Sequence, residues 1–112
     1  MKKIEAIVRP ANLSAIREAL AKYGIRGMTV SDVLGCGLQK GQIGIYRGTT
    51  FNINLLPKVK LEIVVTDDYL EEVIAIIVEH GRTGEIGDGK IFVLAVEEVY
   101  RIRTGETGKH AL

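Results

Sequence analysis

Between residues 84 and 90 the chain reads Gly-Glu-Ile-Gly-Asp-Gly-Lys, and a short way on Arg101 and Arg103 flank Ile102. Glycines let backbone N–H groups come close to a ligand, and a lysine beside them adds positive charge, so this turn has the chemistry of an anion site. Gly84 and Gly89 enclose four residues before Lys90, the spacing of a nucleotide P-loop. Ile91 stands where that motif needs Ser or Thr to hold magnesium, and the segment runs into a strand-like stretch, Ile91 to Val96, instead of a helix. A P-loop NTPase is therefore excluded. On the turn alone, a tight reversal that leaves Lys90 in solvent is the favoured explanation.

The arginine pair shifts that balance. In an extended segment, residues two apart point to the same side, so Val99 to Thr104 is expected to present both guanidiniums together. Like charges repel, and a polyphosphate would relieve the repulsion, each charge-assisted hydrogen bond being worth about 1.5–3 kcal/mol. Ion pairs to Glu97, Glu98 or Glu106 are the alternative. Little else in the chain suggests catalysis. Cys36 is the sole cysteine, which excludes an internal disulfide, and His80 and His110 do not form a spaced metal-binding cluster.

The elements that must position these groups come from an internal repeat. With an offset of 57 residues, Lys3–Val8 matches Lys60–Val65, and Leu13, Ile16, Leu20, Gly24 and Gly27 fall on Leu70, Val73, Ile77, Gly81 and Gly84. Agreement across a strand, a helix and a stop points to two copies of one βαβ unit. Leu13, Ile16, Leu20 and Tyr23 make one helical stripe behind an Asn12 cap; Leu70, Val73, Ile74, Ile77 and Val78 make another behind Asp68, with Glu71 as capping-box partner. Both helices are expected to stop at a glycine in the left-handed conformation. The order is βαββαβ, an α/β (α+β) sandwich of the ferredoxin-like kind, with both helices on one face of an antiparallel sheet. Ile4, Ala6, Val8, Leu61, Ile63 and Val65 should face the helices, leaving Glu5, Ile7, Glu62 and Val64 on an uncovered face. Apolar side chains there predict a symmetric oligomer with its sheets packed inward.

Between the second strand, Thr29 to Leu34, and the third, starting near Lys58, lies an insertion far longer than a hairpin needs. It carries glycines at 35, 37, 41, 44 and 48 and is either a functional loop or a β-arm packed on a neighbouring subunit, since Phe51, Ile53 and Leu55 alternate as in a strand. Its tip, Tyr46-Arg47-Gly48-Thr49-Thr50, suits partner recognition. The 112 residues are one domain's worth, and 15 Lys and Arg balance 14 Asp and Glu, so no nucleic-acid partner is implied by charge. No apolar run approaches the length of a membrane span, and Met1-Lys2-Lys3 leads into a strand without a signal-peptide core; the chain reads as cytoplasmic.

Thr83 to Val93, the tip Tyr46 to Thr50, and Arg101-Ile-Arg-Thr-Gly-Glu106 together resemble the PII nitrogen-regulatory signal-transduction proteins, and Gly27-Met-Thr-Val30 and Leu56–Val65 extend the likeness over essentially the whole chain. The resemblance implies one PII-like domain over 1–112, with a flexible signalling loop at about 37–55, a nucleotide-binding turn at 82–90 and a C-terminal loop at 101–112. It implies a homotrimer that binds ATP or ADP in clefts between subunits. Gly87, Asp88, Gly89, Lys90, Arg101 and Arg103 would hold the phosphates, and Gly27, Met28, Thr29, Gly35, Cys36, Gly37, Leu38, Glu62 and Val64 would surround the rest of the nucleotide. 2-Oxoglutarate would sit beside magnesium-ATP, with Gln39 on the Mg2+, Lys58 on the dicarboxylate, and Gly37, Lys40 and Gly41 assisting. Tyr46, Arg47, Thr49, Thr50 and Phe51 would meet partners, which in this family include ammonium channels and nitrogen-assimilation enzymes or kinases. The output would be conformational and not catalytic.

Two positions depart from the family pattern. Phe51 replaces a loop tyrosine that many relatives nucleotidylylate, which removes that switch here and leaves the hydroxyls of Tyr46, Thr49 and Thr50. Leu38 replaces an arginine that reaches the phosphates in many relatives, so nucleotide affinity or the ATP/ADP distinction is expected to change. A ferredoxin-like phosphotransferase or slow ATPase is the competing reading, yet His80 ends a helix and His110 lies in a tail. A nucleic-acid reading lacks its aromatic platform: Phe92 is the only aromatic in the last strand.

Overall fold

The computed structural model describes residues 1–36, 42–46, 49–53 and 55–112, the two short middle segments by their backbone. Its elements are β1 (Lys2–Val8), α1 (Leu13–Tyr23), β2 (Thr29–Gly35), β3 (Gln42–Tyr46), β4 (Thr49–Ile53), β5 (Leu56–Val65), α2 (Leu70–Gly81) and β6 (Lys90–Ala95). β2, β5, β1 and β6 form one antiparallel sheet in that order, while β3 and β4 pair as a hairpin. The βαββαβ order is therefore present, and the insertion carries a hairpin of its own.

Alternation sets the two faces. Ile4, Ala6 and Val8 of β1 and Leu61, Ile63 and Val65 of β5 are buried against Ile16 and Leu20 of α1 and Val73 and Ile77 of α2. Each such large side chain contributes about 1.5–3 kcal/mol on leaving water, which is what holds both helices to one face. The opposite face mixes apolar and charged groups, and Phe92 and Leu94 of β6 are exposed on it. Ile7 and Val64 are half-buried, and a ladder of charges crosses the central strands: Lys3 Nζ reaches Glu5 (3.2 Å) and Glu62 (3.0 Å), and Lys60 Nζ reaches Glu62 (3.3 Å).

The helix ends differ from the sequence expectation in three places. A 3-10 turn, Asp67–Tyr69, precedes α2, so Tyr69 and not Asp68 occupies the N-cap, and no side chain caps the helix there. The Asp67 carboxylate is drawn instead to the Met1 amine (3.1 Å) and Lys2 (3.2 Å). Asn12 does sit at the N-cap of α1, after an equivalent 3-10 turn, but its Nδ2 donates to the Gly81 carbonyl at 3.2 Å and ties the start of α1 to the end of α2. Gly24 is the expected left-handed stop (φ 113°), its N–H donating to Leu20 and Ala21 and that of Ile25 to Leu20. Gly81 is not. It stays inside α2, buried, and the chain leaves through Arg82 in an extended conformation.

Candidate functional site

The glycine-rich turn packs where β1 ends and β5 begins. β1 runs out at Val8, Arg9 continues it in an extended conformation, and Lys58 enters on β5 beside it. Between α2 and β6 the chain turns through Gly84 (φ 90°), Gly87 (φ 105°) and Gly89 (φ 102°). At Gly89 the backbone passes so near β1 that a Cβ would lie 1.7 Å from the Ile7 carbonyl oxygen, so only glycine fits.

The turn is held from inside. The Asp88 carboxylate accepts hydrogen bonds from the Thr83 N–H (2.8 Å), the Gly84 N–H (2.9 Å), the Thr83 hydroxyl and Arg9 Nε (3.0 Å). Those donors, the Thr83 hydroxyl and amide foremost, keep its carboxyl ionised well below the usual carboxylate range. Arg9 also donates through Nη2 to the Ile86 carbonyl (3.0 Å), and Lys58 Nζ donates to the Gly87 carbonyl (2.6 Å). Burial lowers the Lys58 amine below the ordinary lysine value, Arg9 nearby lowers it further, and Asp88 offsets part of both. At Gly35 a Cβ would stand 2.9 Å from the Lys58 side chain, so the end of β2 lies beside this lysine, and Cys36, the next residue, is exposed.

Two consecutive carbonyls, of Ile86 and Gly87, are thus turned inward onto cations. In a planar trans peptide the C=O and N–H point in opposite directions, so the Gly87 and Asp88 amides are turned outward. Exposed Lys90 follows, opposite Ile7 on the uncovered face of the sheet. Outward amides beside a lysine make a cradle for an anion.

A second grouping lies at the other end of the strands. Gly27, Met28, Thr29, Glu62 and Val64 line one cleft of about 610 Å³, joined by Tyr69, Lys109 and Leu112. On β5 the cleft residues Glu62 and Val64 are four and six residues from Lys58, about 13 and 20 Å along the strand.

Arg101 and Arg103 do not lie on a strand. Residues 102–104 turn, Gly105 (φ 74°) donates back to the Arg101 carbonyl at 2.8 Å, and Tyr100 pairs with Thr107 across the reversal. The Arg101 guanidinium is bound to Glu106 (3.0 Å) and to the Leu112 carbonyl (3.0 Å), the ion-pair alternative named above, while Arg103 is exposed. The extended reading failed because Ile102 between them is fully exposed: no core enforces alternation there.

Gly37, Leu38, Gln39, Lys40, Gly41 and Arg47 lie outside the described residues, and Tyr46, Thr49, Thr50 and Phe51 are located by backbone in the β3–β4 hairpin. Among the described residues no group of three His, Cys, Asp or Glu side chains could hold a metal ion, and no helix is long and apolar enough to cross a membrane. Sequence reasoning overlooked Arg9 and gave Thr83 no role. The available signal for Arg9 was its parity with Glu5 and Ile7 at the end of a central strand.

A family model described as nitrogen regulatory protein P-II matches residues 1–106. Among curated relatives, a nitrogen regulatory protein P-II of Pasteurella multocida (strain Pm70) is 54% identical over 112 residues, covering all of both chains. One from Klebsiella oxytoca is also 54% identical, and nitrogen regulatory protein P-II 1 of Escherichia coli (strain K12) is 53% identical, each over the full length of both chains.

Proposed function

The chain belongs to the nitrogen regulatory protein P-II family, and we propose that it reads ATP, ADP and 2-oxoglutarate and passes the result to partner proteins. The observation that carries the ligand-reading part is the inward fixing of the Ile86 and Gly87 carbonyls, which presents two amides and Lys90 to an anion. The phosphates would lie against Gly87, Asp88, Gly89 and Lys90. The cleft lined by Gly27, Met28, Thr29, Glu62 and Val64 would take base and ribose.

Cradle and cleft lie toward opposite ends of the central strands, and they serve one nucleotide best if each comes from a different copy. We therefore propose a homotrimer with its sites between subunits. Both β2 and β6 are free sheet edges, and Phe92 and Leu94 of β6 leave apolar surface exposed for a neighbour to cover. Arg101 joins the phosphates by exchanging its bond to Glu106, and Arg103 is exposed to do so directly.

Magnesium, when bound, neutralises phosphate charge, and Gln39 is the residue proposed to meet it. A dicarboxylate approaching Lys58 competes with the Gly87 carbonyl for the same amine, so 2-oxoglutarate and the phosphate turn are coupled through one side chain. Ligands that favour different arrangements of this region shift the population of loop states, and partners respond to the shift. Tyr46, Thr49, Thr50 and Phe51 of the β3–β4 hairpin, together with Arg47, are the proposed contact residues for an ammonium channel or for nitrogen-assimilation enzymes or kinases, in the cytoplasm.

Calorimetry with ATP, ADP and 2-oxoglutarate, with and without magnesium, tests the reading. Nucleotide binding is expected, with 2-oxoglutarate bound only in the presence of magnesium-ATP. A protein that binds no nucleotide defeats the proposal, and rapid hydrolysis would favour the phosphotransferase or ATPase reading instead.

A further inference from the structure

We infer that Arg9 is a positioning residue for the phosphate cradle, acting through Asp88 and the Ile86 carbonyl and not by touching the ligand. The inference rests on reading the turn as a phosphate site. A carboxylate next to a polyphosphate is unfavourable, and Asp88 lies in the middle of the turn. It is tolerated because its oxygens are already engaged: one accepts the Thr83 and Gly84 amides, the other the Thr83 hydroxyl and Arg9 Nε. Of these four donors only Arg9 carries a charge that balances the carboxylate.

The same guanidinium fixes a direction. Its Nη2 holds the Ile86 carbonyl inward, and planarity of that peptide then sends the Gly87 N–H outward. Arg9 itself sits behind the turn, about one-fifth exposed, one residue past the end of the strand that the turn packs against. A planar fork serves two acceptors at once in fixed geometry, which an ammonium cannot do. The residue therefore performs two tasks with one group: it cancels a carboxylate, and it aims an amide.

These tasks predict an unusual pattern in double substitutions. Arg9→Gln leaves Asp88 without its counter-charge beside the phosphates. Asp88→Asn keeps the acceptor toward the Thr83 and Gly84 amides but turns an amide nitrogen toward the Arg9 guanidinium, donor against donor. Combined, the two changes remove the charge and restore a donor–acceptor pair between positions 9 and 88.

The experiment is ATP titration by calorimetry of the full chain and of Arg9→Gln, Asp88→Asn, the double variant and Arg9→Lys, with thermal melts of each. Arg9→Gln should weaken ATP binding about tenfold or more, the double variant should bind ATP more tightly than Arg9→Gln, and Arg9→Lys should fall between Arg9→Gln and the full chain. A purely structural Arg9 would give a double variant no better than Arg9→Gln, and that result overturns the inference, as does Arg9→Gln binding like the full chain. Should Arg9→Gln not fold, Arg9→Lys decides: weaker ATP binding supports the role and unchanged binding refutes it. Failure of the unaltered chain to bind ATP would instead sink the proposed function.

Discussion

Glu5 of β1 stands directly across from Glu62 of β5, and Lys3 Nζ lies between them, 3.2 Å from one and 3.0 Å from the other. Like charges opposite each other on paired strands repel, so the lysine is what makes this register tolerable. It lowers the Glu62 carboxyl below its ordinary value of 4.5, with Lys60 assisting, and its own amine is raised in return, by Glu62 first and then Glu5.

Lys3→Met should therefore lower the thermal midpoint at neutral pH. A carboxyl with a depressed folded-state pKa contributes stability that is present above its unfolded value and lost as pH falls through the folded one. The deficit of the variant relative to the unaltered chain should accordingly shrink below pH 4.5, as Glu62 protonates. Melts across that range check it; a deficit independent of pH would mean that the lysine stem, and not its charge, matters.

Gly89→Ala should be among the most disruptive single-atom additions available in this chain. The new methyl would fall 1.7 Å from the Ile7 carbonyl oxygen at φ 102°, so the turn must lift from β1. A loss of roughly 2 kcal/mol or more in urea unfolding is expected. Gly27→Ala is the control, since nothing lies within 4 Å of a Cβ there, and its stability should be unchanged.

The two helix-end glycines should respond with opposite signs. Gly24→Ala forces a side chain into a left-handed stop and should cost about 1 kcal/mol. Gly81→Ala keeps a helical residue helical, places its methyl 3.5 Å from Ile16 Cδ1, an ordinary contact, and should add about 0.5–1 kcal/mol. Equal losses at both sites would contradict the helix end described for α2.

Tyr23 should lose its proton well above the ordinary phenol value of 10. Its hydroxyl donates to the Glu72 carboxylate, which holds the phenol up to about 12, and its ring meets Tyr69 edge-on with centroids 6.1 Å apart. For a group raised on folding, the stabilisation is full below the unfolded value near 10 and disappears as pH rises through about 12. Ultraviolet titration of Glu72→Gln should bring one phenol back toward 10; an unchanged curve would break the link between the two helices at this point.

The fold was legible because its signals are periodic. Alternation at Ile4, Ala6 and Val8 and a helical stripe at Val73 and Ile77 each answer to one core, and the repeat stated them twice. The site was legible in part. Glycines and Lys90 marked the turn, but the direction of its amides depends on Arg9 and Lys58, more than twenty residues distant along the chain, and no local pattern carries that. Arg101 to Thr104 shows the converse failure: an alternating sequence with nothing to bury on either side folds by its local bonds, to Glu106 and through Gly105.

The connection after α1, Gly24 to Met28, and the connection after α2, Arg82 to Gly89, occupy the same place in the two halves of the duplicated chain. Each feeds an edge strand, β2 in one half and β6 in the other. Residues inserted there shift no strand that is paired on both sides, so either connection can differ in length without moving the centre of the sheet. The repeat thereby holds two mechanically independent connections, and the longer of them carries the glycine-rich turn.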